Sequence, residues 1–257
     1  MRKLIIGLVC LVGLAVVVDF GAAAYAEYRV SRAIREGAGL NSDPEVTIHG
    51  FPFLSHALNG KYDSVELSAR GVRADLIGQT TIEATLTGVS VPMSDLIDGN
   101  LNMVPVDRVD GRIRIDATEL GQAFNIPDLQ VSASPADKSD GTGGSGGTGL
   151  WTHDGIVLTG TVPVGLEQMK VSVEAEMILE KEQLRIVATE FYFGPGLNFS
   201  VPELDVPAVL ALFNQSIDTR SLPFGVLPTK VSAVGSQIVI EGTGENVTIN
   251  FDDLQNS

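Results

Sequence analysis

The pattern of the chain predicts an α+β protein built mainly on a long, twisted antiparallel sheet. Three observations carry that expectation. Apolar and polar residues alternate in run after run, the longest being Val171, Val173, Ala175, Met177 and Leu179. Among 257 residues there are 28 Gly and 12 Pro, a density of turn-formers that suits many strands joined by short connections. Helical periodicity is confined to the N-terminus and to a few short segments.

At the N-terminus, Arg2 and Lys3 precede an apolar run from Leu4 to Val18, with Asp19 and then small residues through Ala26. A basic start, about 15 apolar residues and an Ala24-Tyr25-Ala26 end have the layout of a secretory signal. Leu4 to Ala26 is also long enough to cross a bilayer, with Asp19 near its outer end and Tyr25 and Tyr28 as interfacial aromatics. Residues 1–26 are therefore a signal peptide or an N-terminal anchor. Either way residues 27–257 are expected as one exported domain, in the cell envelope or periplasm, membrane-anchored or secreted. Glu27 to Glu36 reads as helix, with Arg29, Arg32 and Arg35 on one broad face, open to solvent or to lipid headgroups.

Strands begin at Glu45, where Val46 and Ile48 alternate. Gly50-Phe51-Pro52-Phe53-Leu54 is a turn with two aromatics. Phe53, Leu54, Ala57 and Leu58 then make a helical turn ended by Asn59-Gly60. Val65 and Leu67 resume the alternation. In the next strand Ile82, Ala84 and Leu86 share one parity and Val89 and Val91 the other, which predicts a β-bulge at Gly88. Ser94 is expected to cap a short helix through Ile97, and Thr118 another over Glu119 to Phe124. Between them Val109, Gly111, Ile113 and Ile115 form a strand, and Leu129, Val131 and Ala133 begin one after Pro127.

Residues 134–149 end in a Gly-Ser-Thr tract and read as a flexible surface loop within that domain, since strands of the same character flank it. Beyond it come strands from Ile156 to Val164, over Val171–Leu179, and from Leu184 to Phe191. Pro207 opens a helix capped by Asp205, with an apolar face running through Val209, Phe213 and Ile217. Two closing strands carry Ile238 with Ile240, then Val247, Ile249 and Phe251.

Function classes are narrowed by what is missing. Seventeen Lys and Arg against 32 Asp and Glu give a net charge of −15, which repels phosphate backbones and argues against nucleic acid as a partner. The only cysteine, Cys10, lies in the N-terminal apolar run, leaving no thiol for a disulfide, a nucleophile or a metal. His49, His56 and His153 lack zinc-ligand spacing. Gly143-Gly144-Ser145-Gly146-Gly147 spells a nucleophile elbow without the strand and helix that one requires. No catalytic residue, metal or cofactor is indicated, and the chain reads as non-enzymatic; its oligomeric state is not indicated either.

What stands out is apolar residues at strand ends: Phe51, Phe53, Leu54, Leu58, Leu96, Phe191, Phe193, Leu222 and Phe224. They are either core caps or the mouth of an apolar channel. Arg108, Arg112 and Arg114 share a strand face and are candidates for holding a headgroup, or else lie on a solvated surface.

The stretch from Ile48 to Val65, with its Gly50-Phe51-Pro52-Phe53-Leu54 block, resembles the opening signature of the actinobacterial LmeA-like phospholipid-binding proteins. Gly88 to Leu96, Val106 to Gly111 and Leu222-Pro223-Phe224-Gly225 are similar to later blocks, so the resemblance spans nearly the whole chain. It implies a tubular lipid-binding (TULIP-like) fold, a strongly curved antiparallel sheet wrapped on a long helix. It also implies binding, and transfer, of phospholipids such as phosphatidylinositol-type lipids in the cell envelope, in support of mannan-bearing glycolipid maturation. The rival reading is an envelope assembly module that binds a protein partner through the same apolar rim.

Overall fold

The structure, a computed structural model, describes residues 2–74, 78–99, 101, 103–134, 155–164, 167–180, 183–192, 205–218 and 226–250. Its first element, α1 (Arg2–Gly37), is one uninterrupted helix of 36 residues, about 54 Å long. The first half is apolar on every side from Leu4 to Val18, and its large side chains there are exposed except half-buried Val16. The second half is amphipathic, with Ala26, Val30 and Ile34 recurring every four residues on a buried face. It lies against β1 (Glu45–His49): the Ser31 hydroxyl donates to the Pro44 carbonyl at 2.6 Å, and the Ile48 N–H donates to Glu27 at 2.8 Å.

There follow α2 (Phe53–Asn59), β2 (Lys61–Ala74), β3 (Gly78–Ser90), α3 (Met93–Asp98), β4 (Val104–Asp116), α4 (Ala117–Phe124) and β5 (Gln130–Ala133). The second half of the chain supplies β6 (Ile156–Val164), β7 (Glu167–Glu180), β8 (Gln183–Phe191), α5 (Val206–Ala211), β9 (Gln215–Asp218), β10 (Leu227–Val234) and β11 (Gln237–Ile249). The strands form two antiparallel sheets, in the orders β1-β2-β3-β4-β11-β10 and β5-β6-β7-β8-β9. α1 covers one end of the six-stranded sheet. α4 and the five-stranded sheet cover the other, so the buried side chains fall into two clusters, with Ile113 packed against both. The α+β expectation holds, with the sheet realised as two.

A change of phase crosses the six-stranded sheet. Buried side chains step by three residues instead of two from Tyr62 to Val65, from Leu86 to Val89 and from Val106 to Val109. Gly88 (φ 67°) and Asn246 (φ 51°) adopt left-handed backbone in this row. Pairing nevertheless continues in register on both sides, Tyr62 with Val89 and Ser64 with Thr87, then Glu245 with Arg108 and Val247 with Val106. The bulge expected at Gly88 is therefore absent. An extra residue in one strand makes a bulge, whereas the same offset shared by neighbouring strands preserves their register. The one register shift between β2 and β3 lies between Arg70 and Val72, beside Gly71.

Other expectations change locally. Neither Ser94 nor Thr118 caps a helix: the cap positions are Pro92 and Asp116, and neither makes a side-chain cap bond. Ser94 bonds Asp95 instead, and Asp116 accepts from Gln237. Asp205 does cap α5, accepting from the Ala208 N–H at 3.3 Å. That helix stops at Ala211, and Ile217 is buried on β9, paired with Leu184 of β8. The two closing strands are the single β11, kept continuous by the positive φ of Asn246. Gly-rich residues 135–149 lie outside the described residues.

Candidate functional site

Between the second half of α1 and the six-stranded sheet runs a crevice with no polar surface. Val30 and Ile34 of α1 form one wall. Val46 and Ile48, Val65 and Leu67, and Leu86 and Val89 of β1, β2 and β3 form the other. Tyr62, Val91, Leu96, Leu101 and Val104 close the end nearest α2 and α3. Val46 with Ile48 and Val65 with Leu67 alternate along β1 and β2, and the three-residue steps from Tyr62 to Val65 and from Leu86 to Val89 keep the buried side turned toward α1 beyond the change of phase. The space left among them is about 40 Å³. That is room for no more than a few water molecules, so the crevice is closed to an acyl chain as it stands.

α2 and α3 form its rim. Asp19, buried in α1, accepts the N–H groups of Phe53 at 2.8 Å and Leu54 at 2.9 Å, supplying acceptors to the first turn of α2 that Pro52 cannot. α2 is thereby fastened to α1 at the point where the exposed apolar half ends. Phe53 is buried against Tyr62, with ring centroids 6.1 Å apart, and Phe51 stacks on Phe20 at 6.0 Å. Arg29 of α1 donates from Nε and Nη2 to the Ile97 carbonyl at 3.0 and 2.6 Å, tying down the C-terminal end of α3. Phe51, Leu58, Ile97 and Met103 remain exposed around this rim, Leu58 by 78%.

Tyr62 is the one polar side chain in the crevice lining. Its hydroxyl is buried and finds no hydrogen-bond partner among the described residues. Burial pushes its pKa up, so it stays a protonated donor.

The sequence-derived candidates divide. Leu96 lines the crevice, Phe53 closes over Tyr62, and half-buried Leu54 packs against the same cluster. Phe51 and Leu58 stand on the rim. Phe191 packs instead in the cluster of the five-stranded sheet. Phe193, Leu222 and Phe224 lie outside the described residues.

Arg108, Arg112 and Arg114 share one strand face, which is the face turned away from α1. Each meets a carboxylate: Arg108 with Asp110 at 2.7 Å, Arg112 with Glu241 at 2.7 Å and Arg114 with Glu83 at 2.9 Å. Asp110 is held below the usual carboxylate range by the Arg108 hydrogen bond. A concavity of about 620 Å³ lies on that face, lined by Glu45, Glu66, Glu83, Asp110 and Glu241 with Arg112 and Lys230. It is far roomier than the crevice, but its excess of carboxylates suits neither acyl chains nor a phosphate. Arg29, Arg35 and Lys61 each adjoin a lining residue along the chain, namely Val30, Ile34 and Tyr62. Asp19, Val30, Ile34 and Tyr62 were not among the sequence-derived candidates. The four-residue spacing of Ala26, Val30 and Ile34 was a signal for α1; nothing in the sequence marked Tyr62.

Two antiparallel sheets, with a long helix laid on one of them over a largely apolar seam, are consistent with a tubular lipid-binding architecture. The family comparison agrees. The sequence model of the LmeA-like phospholipid-binding family matches residues 17–243, so the chain belongs to that family. The match begins inside α1, two residues before Asp19. No curated protein and no solved structure matches the chain.

Proposed function

We propose that this protein binds a phospholipid, without catalysing a reaction, by taking its acyl chains between α1 and the six-stranded sheet. The observation that carries this reading is the crevice itself: lined by apolar side chains, without polar surface, and bordered by the helix whose other half is apolar enough to cross a bilayer. Each acyl CH₂ removed from water contributes about 0.8 kcal/mol, so two long chains would contribute on the order of 20 kcal/mol against the cost of opening the seam. α2 and α3, held to α1 by Asp19 and Arg29, are the elements whose displacement would open it.

The same contacts favour a retained anchor over a cleaved signal. A cut after Ala26 would remove Asp19, the acceptor for α2, together with Ala22, Ala23 and Ala26, which pack against the core. The family match likewise includes the end of the apolar run. On this reading the domain sits on the outer surface of the membrane in the cell envelope, with Phe51 and Leu58 toward the lipid. The headgroup class suggested by the family resemblance is phosphatidylinositol-type, in support of mannan-bearing glycolipid maturation.

The test is native mass spectrometry with lipid extraction on the full chain, purified in a non-lipid detergent from an actinobacterial host. A stoichiometric co-purifying phospholipid supports the reading and names the headgroup. A protein that is empty and refuses added phosphatidylinositol overturns it. The small volume of the closed crevice favours one second reading, a packed envelope module that docks a protein partner on the exposed rim of Phe51, Leu58, Ile97 and Met103. An empty, stable protein would point there.

A further inference from the structure

The described crevice lining includes one polar side chain, that of Tyr62. Tyr62 is 2% exposed and its hydroxyl lacks a partner among the described residues. A buried donor left unsatisfied costs about 1–3 kcal/mol, and most such groups in native proteins are paired. Phenylalanine would fill the same space without that cost. A buried water is a poor remedy, because a stable one needs two to four polar partners and the described lining offers only Tyr62 itself.

The position of Tyr62 is informative. It lies under Phe53 of α2, and the Phe53 N–H is bonded to Asp19, where α1 leaves its exposed apolar half. Tyr62 therefore sits at the membrane-proximal end of the crevice, while Val65 and Leu67 continue along it. A lipid drawn in from the bilayer would place its hydrocarbon along Val65 and Leu67 and the linkage to glycerol at Tyr62. At that depth the acceptor must be neutral, since burying a charged phosphate in an apolar seam is prohibitive. An ester carbonyl is such an acceptor; an ether linkage lacks the carbonyl.

We infer that the Tyr62 hydroxyl donates a hydrogen bond to an acyl ester carbonyl of the bound lipid, so that the crevice prefers ester-linked over ether-linked glycerolipids. This inference rests on the lipid-binding reading above. Without a partner among the described residues, the donor is satisfied by the ligand.

The test compares phosphatidylinositol carrying two palmitoyl esters with its dihexadecyl ether counterpart, bound to the full chain in detergent, for wild type and Tyr62→Phe. Wild type should bind the diester about 2- to 12-fold more tightly, the range of one neutral hydrogen bond. Tyr62→Phe should bind both with the affinity of the diether and melt no lower than wild type. A carbonyl-labelled diester supplies a second readout, its infrared stretch moving to lower wavenumber in wild type and not in the variant. Equal affinities in wild type, or a preference that survives in Tyr62→Phe, overturn the role of Tyr62 and leave lipid binding intact. If wild type binds neither lipid, the lipid-binding reading fails and this inference with it.

Discussion

Asp19 is the residue through which the apolar half of α1 is coupled to the rest of the fold, and Asp19→Ala measures that coupling. The side chain is 5% exposed and accepts two backbone N–H groups, that of Phe53 fully buried and that of Leu54 partly so. Removing the carboxylate leaves the Phe53 donor buried without a partner, at about 1–3 kcal/mol, and deprives Leu54 of a bond that water replaces at about 1 kcal/mol. The expected loss is about 2–4 kcal/mol, or a melting temperature lower by about 4–16 °C for a domain of this size. Asp19→Asn keeps one acceptor oxygen and should cost about half as much. The assay is thermal unfolding of the full chain in detergent, with hydrogen exchange at the Phe53 and Leu54 amides, which should speed up selectively. If Asp19→Ala melts within about 1 °C of wild type and those amides stay protected, α2 is not held by α1, and the structural case for a retained helix collapses.

Three further outcomes follow from particular contacts. Gly88→Ala must hold φ near 67° and displace the Asp107 carboxylate, which occupies the space of the new methyl, so it should cost about 2–4 kcal/mol. Gly71→Ala has a similar φ but meets only Gln79 at 3.9 Å, so urea unfolding should show about 1–2 kcal/mol; equal losses would mean that Asp107 moves freely. Replacing exposed Phe51 and Leu58 together by Asp should leave stability nearly unchanged while slowing lipid uptake from vesicles on the order of tenfold; unaltered uptake would remove the rim from the entry route. Asp128 is held below its ordinary pKa by the Thr161 hydroxyl and then the Thr161 N–H, so its contribution is present above pH 4 or so and is lost as the pH falls through its folded value. Asp128→Asn should flatten the acid limb of the stability curve, and an unchanged limb would assign acid sensitivity to other carboxylates.

Most of the sheet was legible in the sequence because one face of most strands is more buried than the other, as at Val65, Leu67 and Ala69 of β2. Legibility failed where that contrast is weak. β10 buries only Val231 and exposes Leu227 and Val234, so it carries no alternation to read. Ile217 is apolar whether the segment after α5 is helix or strand, and only the edge of β8 decides for β9. The parity change at Gly88 was visible, but its meaning depended on Val106 and Val109 making the same step on a neighbouring strand. For the site, Gly50-Phe51-Pro52-Phe53-Leu54 located the rim. Ala26, Val30 and Ile34 were spaced for one helix face, but that this face meets the sheet, and that the Tyr62 hydroxyl lacks a partner among the described residues, are products of tertiary packing, which no local pattern encodes.

The most direct test of the crevice as the lipid site is photo-crosslinking of the full chain with a phosphatidylinositol bearing a diazirine at the middle of one acyl chain, followed by peptide mapping. Adducts on β2 and β3 at Val65, Leu67 and Leu86, together with Val30 or Ile34 of α1, are the predicted result. Adducts confined to the exposed half of α1 and to Phe51 and Leu58, with none on the strands, would contradict it and leave the seam as a closed core.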